Sequence, residues 1–258
     1  VASRDGVGGD PAADAFAPTE SSGRSAAPAR IGILLSGRGS NFLALHAAVE
    51  RGELPARIAV VVSDVSEAPG IVRAAELGLP TARVPRRDFA DRAAHEEAIL
   101  AALAAHGVEW VCLAGFMRLL SPAFLRAFPQ RVLNIHPSLL PAFPGLHPQR
   151  QALEHGVKVS GCTVHFVDEG VDSGPIVVQR AVPVLDGDDE AALAARILVE
   201  EHRAYPEALR RLLAEPWGVE GRRVVFGGAS GGGASRDDDQ RAVAAAEPAA
   251  SPVQALRG

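Results

Sequence analysis

Two hydrophobic patterns alternate through the middle of the chain. Short apolar runs recur at Ile31–Leu35, Arg57–Val62, Thr81–Val84, Trp110–Ala114 and Val132–Ile135. Unbroken runs of this length suit strands covered on both faces, as in a parallel sheet. Between them, apolar residues fall at helical spacing: Asn41–Arg51 (Phe42, Leu45, Val49), Ala68–Leu77 and Ala90–Ala105. Gly78 suits a left-handed cap on the second helix, and His106-Gly107 ends the third. Strands separated by such helices predict right-handed crossovers and a mostly parallel sheet.

After Gln149 the character changes. Ser160–Val167 and Pro175–Val182 are β-rich, with Asp168–Gly174 turning between them. This predicts an antiparallel hairpin that extends the sheet. A long helix is expected over Asp189–Ala214, kinked or interrupted by Pro206, and a short edge strand over Val219–Phe226. The expected fold class is α/β: three layers around an open, mostly parallel sheet, with an antiparallel hairpin towards the C-terminus. Residues 1–29 and 227–258 hold few large apolar residues and are expected to be disordered extensions around one domain at 30–226.

Composition narrows the function classes. The chain of 258 residues is 47% hydrophobic, enough to bury a full core. A net charge of −5 gives no sign of a nucleic-acid or membrane partner. Cys112 and Cys162 sit in apolar strand-like runs and read as buried, reduced thiols. No stretch reaches membrane-spanning length and no signal pattern opens the chain, so a cytoplasmic protein is expected. No residue cluster has convincing metal-ligand spacing, and no metal is expected.

Candidate chemistry gathers where strands end. Ser36-Gly-Arg-Gly-Ser-Asn41 joins the first strand to the first helix. Glycines let backbone amides approach a ligand there, and a helix N-terminus favours an anion. Phe42 stands where a dinucleotide fingerprint needs a third glycine, and no Gly-Lys pair follows, so a monophosphate is the better ligand. The plain alternative is a glycine turn with Ser40 as helix cap. Asn134 and His136 share one strand face by their i, i+2 spacing, and Pro137 stops the ladder. An amide and an imidazolium aimed at one point would stabilise an oxyanion, as acyl-type transfer requires. Asp172, in the acidic Asp168–Gly174 turn, needs only modest placement to reach His136, where a carboxylate would raise the imidazole pKa. Gly115–Leu120 leaves the fourth strand and could line a slot for a flat heterocycle. Periodicity alone reads Met117, Leu119 and Leu120 as core.

These segments resemble the folate-dependent phosphoribosylglycinamide formyltransferases. The likeness rests on Leu113–Phe124 (LAGFMRLLSPAF), Leu133–Pro141 (LNIHPSLLP), Phe143–His147 (FPGLH), Val164–Val167, Val171–Pro175 and Glu201–Pro206 (EHRAYP), in order, from about Ile31 to about Phe226. It implies a Rossmann-like formyltransferase fold. It also implies transfer of a formyl group from the co-substrate 10-formyltetrahydrofolate to the amine of 5-phosphoribosylglycinamide, in purine synthesis, without a metal. By motif, Asn134, His136 and Asp172 would be catalytic. Gly39, Ser40, Asn41 and Glu201 would bind the ribonucleotide. Arg92, Met117, Arg118, Leu119, Leu120, Asn134, Asp168, Glu169, Gly170 and Val171 would bind the folate. The resemblance further implies a cis peptide at Leu140–Pro141. Gln149 stands where the family carries a second histidine.

Rival readings share this catalytic domain. A 10-formyltetrahydrofolate hydrolase is expected to carry an additional N-terminal domain, for which residues 1–29 are too short and too polar. A methionyl-tRNA formyltransferase is expected to carry a basic C-terminal domain, which residues 227–258 do not supply. A non-catalytic nucleotide-binding relative would have no need of Asn134, His136 and Asp172 together.

Overall fold

The computed structural model describes residues 27–227; the expectations for the two extensions lie outside the described residues apart from their inner margins. The strands are β1 (Ala29–Leu35), β2 (Ala56–Ser63), β3 (Thr81–Arg83), β4 (Trp110–Leu113), β5 (Val132–His136), β6 (Val159–Phe166), β7 (Ile176–Pro183), β8 (Trp217–Glu220) and β9 (Arg223–Phe226). The helices are α1 (Ser40–Glu50), α2 (Pro69–Glu76), α3 (Arg92–Ala105), α4 (Pro122–Ala127), α5 (Pro148–Glu154) and α6 (Glu190–Ala214). The strands form one sheet in the order β3-β2-β1-β4-β5-β6-β7-β9-β8. Neighbours from β3 to β5 are parallel, and the β5–β6 and β6–β7 pairs are antiparallel.

Strand alternation divides the core between two faces. Ile31, Ile33 and Leu35 of β1 pack in one layer with side chains of α1, α2, α5 and α6. Leu34 points the other way, into a layer with Ile99 and Leu103 of α3 and Phe124 of α4. Each large aliphatic side chain buried in this way contributes about 1.5–3 kcal/mol. Gly32 belongs on the α3 side because the helix lies close there: a Cβ would sit 2.6 Å from Leu103 Cδ2. Both cysteines are buried and free, and burial pushes the Cys112 thiol up to about 12, so it is inert. Among the described residues no helix is long and apolar enough to cross a membrane.

The structure departs from expectation in three ways. First, α6 runs unbroken through Pro206, so the expected interruption does not occur. Tyr205, Ala208, Leu209 and Leu212 around and beyond the proline are buried against the sheet, and that packing outweighs one lost helical hydrogen bond. Secondly, the single edge strand expected over Val219–Phe226 is a hairpin: β8 turns at Gly221 and pairs with β9, and β9 joins β7. Thirdly, α4 and α5 were not expected from periodicity. Each is under two turns long and opens on a proline at its first position.

The sheet order reverses between β1 and β4, the switch point where open α/β sheets bind ligands. The loops leaving these two strands are joined there. Ser36 N–H donates to the Gly115 carbonyl (3.1 Å), and Met117 N–H donates to Ser36 Oγ (3.0 Å). Beneath them, the fully buried Tyr205 hydroxyl shares its proton between the carbonyls of Leu113 (3.1 Å) and Leu133 (3.0 Å). One α6 side chain thus fixes the spacing of β4 and β5 at the edge of the site.

Candidate active site

The loop after β1 delivers the expected ribonucleotide residues to one place. Gly39, not Ser40, is the N-cap of α1; it takes the left-handed conformation (φ 73°) and lies against Gly70, whose Cα would be 3.0 Å from an added Cβ. No side chain caps the helix, so its first amides stay open to an anion. Asn41, in the first turn, donates from Nδ2 to Glu201 Oε2 at 2.7 Å across 160 residues of sequence. Glu201 is 7% exposed, and burial raises its carboxyl above the ordinary value, with Asn41 opposing. Asn41 Oδ1 is buried and has no partner, and Glu201 has no donor other than Asn41 among the described residues. A ligand bearing hydroxyl donors fits this deficit.

A second group of expected residues surrounds a pocket of about 310 Å³. Its lining includes Arg92, Glu96, Phe116, Met117, Arg118, Leu119 and Leu120. Met117 (73%) and Leu119 (61%) are exposed, against the reading of this stretch as core; Phe116 and Leu120 do pack inward. The segment between is pinned by its ends and by charge: Arg118 Nε meets Asp64 Oδ2 at 2.5 Å. Asn134 and Asp168–Val171 do not line this pocket. Asn134 is nevertheless adjacent through the β4–β5 pairing, opposite Leu113. Asp168 organises its own turn by accepting from Gly170 N–H (3.1 Å) and Ser173 Oγ (2.6 Å), leaving Glu169 and Val171 exposed.

The third group is the tightest. Asn134 and His136 project from the face of β5 that Val132 shares with the α3–α4 layer. The loop after β6 folds back so that Asp172, itself in a left-handed conformation (φ 50°), reaches both. Asp172 Oδ2 lies 3.3 Å from His136 Nδ1 and accepts from Gly145 N–H at 2.8 Å. Oδ1 accepts from Asn134 Nδ2 at 3.4 Å and lies 3.6 Å from His165 Nε2. Burial pushes the Asp172 carboxyl up, but His165, the Gly145 amide and His136 outweigh it and hold the carboxyl below its ordinary value.

His165 lies within the Val164–Val167 segment, to which no role is assigned from sequence. It faces Asn134 directly across the β5–β6 ladder. Its Nδ1 meets the Phe166 carbonyl at 2.8 Å and so carries a proton, and its Nε2 lies 3.2 Å from Asn134 Nδ2 and 3.6 Å from Asp172 Oδ1. The signal for it was a histidine inside a buried strand.

His136 corrects an expectation. Its Nε2 meets the Phe143 carbonyl at 2.9 Å and so carries a proton. Burial lowers its pKa; the Phe143 carbonyl and Asp172 pull upwards without prevailing, and His165 adds to the lowering. Asp172 therefore acts in the expected sense, but the sum is reversed because the ring is only 5% exposed. With Nε2–H committed to a carbonyl, Nδ1 is the open proton site, and it faces Asp172.

The neighbouring loop meets one further expectation. Leu140–Pro141 is cis, and Gln179 Nε2 donates to the Leu140 carbonyl at 2.8 Å. Gln149 lies in the first turn of α5, where its neighbour Gln151 donates to the Leu146 carbonyl at 2.9 Å. Among the described residues, no group of three or more His, Cys, Asp or Glu is placed to hold a metal.

Known proteins share this architecture. A family model described as formyl transferase matches residues 29–209. The trifunctional purine biosynthetic protein adenosine-3 of Drosophila pseudoobscura pseudoobscura is 49% identical over 185 residues, 71% of this chain; the chain spans only 14% of that relative. A phosphoribosylglycinamide formyltransferase from Mycobacterium tuberculosis is 48% identical over 202 residues, which is 78% of this chain and 93% of the relative. The crystal structure of glycinamide ribonucleotide transformylase 1 from Symbiobacterium toebii matches with a TM-score of 0.75 at 54% identity, covering 77% of this chain and 93% of that one. The matched residues 29–209 contain every strand that carries a residue of the site, and the chain belongs to the formyl transferase family, among its phosphoribosylglycinamide formyltransferases.

Proposed function

We propose that this chain transfers the formyl group of 10-formyltetrahydrofolate to the amine of 5-phosphoribosylglycinamide, releasing the formylated ribonucleotide and tetrahydrofolate in the third step of purine synthesis. The observation that carries the reading is Asp172, a depressed carboxylate in contact with both Asn134 and His136. Bound folate supplies an activated formyl carbon. The pocket beside α3 suits it chemically: Ile99, Phe116 and Leu120 offer apolar walls, and Arg92 and Arg118 offer charge for a carboxylate.

The chain's own residues divide the work. The open amides at Gly39–Asn41 hold the phosphate, and Glu201 accepts from the ribose hydroxyls. The Met117–Leu120 and Asp168–Val171 segments bracket the heterocycle. In the reaction a bond forms from the amine nitrogen to the formyl carbon, the bond from that carbon to the folate nitrogen breaks, and one proton passes from the first nitrogen to the second. Asp172 is ionised and takes that proton, directly or through a water, and returns it to the leaving nitrogen. His136 Nδ1, 3.3 Å away, shares it. Asn134 turns its long 3.4 Å contact with Asp172 towards the negative charge developing on the formyl oxygen. Domain limits of about 30–226 and a cytoplasmic setting go with this assignment.

A spectrophotometric deformylation assay of 10-formyl folate, run with and without the ribonucleotide, tests it. Turnover that needs the ribonucleotide is expected. Equal turnover in water alone would replace the transferase with a hydrolase, and no turnover in either arm would leave a binding protein.

A further inference from the structure

Glu96 is a carboxylate buried at the wall of the pocket, and nothing above assigns it a role. It lies on the inner side of α3, one turn after Arg92, with its side chain 8% exposed. Oε1 accepts from Arg92 Nε at 2.8 Å and from Ser121 N–H at 3.1 Å, and Oε2 accepts from the Ser121 hydroxyl. Ser121 in turn caps α4, accepting from Phe124 N–H, and it ends the segment that carries Met117–Leu120. One carboxylate thus ties together the arginine on one wall of the pocket and the end of the opposite wall.

The geometry at Arg92 is selective. Glu96 holds only the Nε edge of the guanidinium; the terminal nitrogens have no partner among the described residues, and the side chain is half-exposed. A guanidinium held from behind presents its outer fork in a fixed direction, which is the geometry a carboxylate takes bidentately. The like charge of Glu96 does not oppose such a ligand at full strength, because Arg92 and two Ser121 donors already engage it.

We propose that Glu96 is a positioning residue that pre-orients Arg92 for the carboxylate tail of the co-substrate. This rests on the folate reading of the pocket. It predicts that Glu96 acts on tail recognition and not on the ring system.

The test is calorimetric binding of two probes to the full chain: tetrahydrofolate, and a tetrahydropteroyl methylamide that keeps the rings but lacks the glutamate carboxylates. Wild type is expected to prefer the first. Glu96→Gln is expected to bind tetrahydrofolate about tenfold more weakly, the scale of one charge-assisted hydrogen bond, and to bind the methylamide unchanged. Glu96→Asp keeps the charge but withdraws it by one methylene, and should lose part of the preference; it serves if the glutamine variant does not fold. Equal weakening of both probes would mark Glu96 as merely structural and overturn the proposal. So would a preference that survives both substitutions, or a wild type that binds both probes alike. Failure of wild type to bind either probe would overturn the folate reading itself.

Discussion

Asp172 and Glu201 are both carboxylates withdrawn from water, yet their surroundings drive them in opposite directions. Four protein groups surround Asp172: Gly145 N–H, His136 Nδ1, Asn134 Nδ2 and His165 Nε2. Its carboxyl is held below the ordinary value despite burial. Glu201 receives one donor, Asn41 Nδ2, and burial wins, so its carboxyl is raised. In the proposed mechanism the difference separates two tasks. A group that must be ionised before substrate arrives is supplied with donors by the protein. A group that only has to recognise hydroxyls can be left short, because the ligand completes its shell. Asn41 Oδ1, buried without a partner beside Glu201, has the same deficit.

The hardest test of this contrast is Asp172→Asn. The amide keeps the volume but cannot take a proton, and an NH2 donor replaces one carboxylate oxygen facing His136 or His165. Turnover is expected to fall by about 10²–10³, the scale of losing one group that stabilises charge in the transition state. Circular dichroism should show the fold intact. Stability should separate the two proteins by pH. A depressed carboxyl contributes stability above its unfolded value, near 3.8, and loses it as pH falls through the lower folded value. The gap in stability between wild type and variant should therefore close in acid. Near wild-type turnover would remove Asp172 from the mechanism.

Glu201→Gln tests the other member. A raised carboxyl favours folding fully below its unfolded value, near 4.5, and that contribution is lost as pH rises through the higher folded value. At neutral pH the buried charge is a cost, so the glutamine variant should melt at the same or a higher temperature than wild type, with the gain vanishing in acid. Binding should move the other way: KM for the ribonucleotide should rise about tenfold, with kcat little changed, since a charged acceptor is worth more to a hydroxyl donor than a neutral one. A variant both less stable at neutral pH and unchanged in KM would show that Glu201 is a structural residue.

Sequence patterns read some parts of this molecule better than others, for physical reasons. Strands β1, β2, β4 and β5 were legible because burial on both faces leaves continuous apolar runs. Asn134 and His136 were legible because strand periodicity is local. Contacts that depend on register or on a returning loop were not. Nothing in the spacing of His165 says that it pairs with Asn134; the β5–β6 register does. Nor does spacing reveal that Asn41 meets Glu201 across 160 residues. That pair entered through the family likeness. The β8–β9 hairpin was hidden because its turn at Gly221-Arg222 interrupts an apolar run without lengthening it, although Glu220-Gly221 was a visible turn signal. For α4, Ser121-Pro122 was a readable start, a capping residue followed by proline at the first helical position. The sign of the His136 shift was out of reach because it is a contest between burial and charge, and sequence reports neither depth nor distance.

The finest test asks whether the groups around Asp172 act individually. His165 lies 3.6 Å from Oδ1, beyond a strong hydrogen bond, yet it helps to hold the carboxyl low. In His165→Ala, burial would act with less opposition, and the Asp172 pKa should move back up. Activity that needs the ionised carboxylate should then fail at a higher pH than in wild type as the solution is acidified. Loss should be slight at neutral pH and grow as the solution is acidified, and it stays partial because the Gly145 amide and the neighbouring His136 still favour the charged form. The same substitution frees Asn134 Nδ2 from its 3.2 Å contact with His165, which loosens the amide aimed at the formyl oxygen and lowers kcat at every pH. The two effects separate on a pH–rate profile: an acid limb displaced to higher pH reports the carboxylate, and a uniform drop reports the amide. A profile that falls uniformly, with its acid limb unmoved, would mean that His165 serves Asn134 alone and that Gly145 and His136 suffice to keep Asp172 charged.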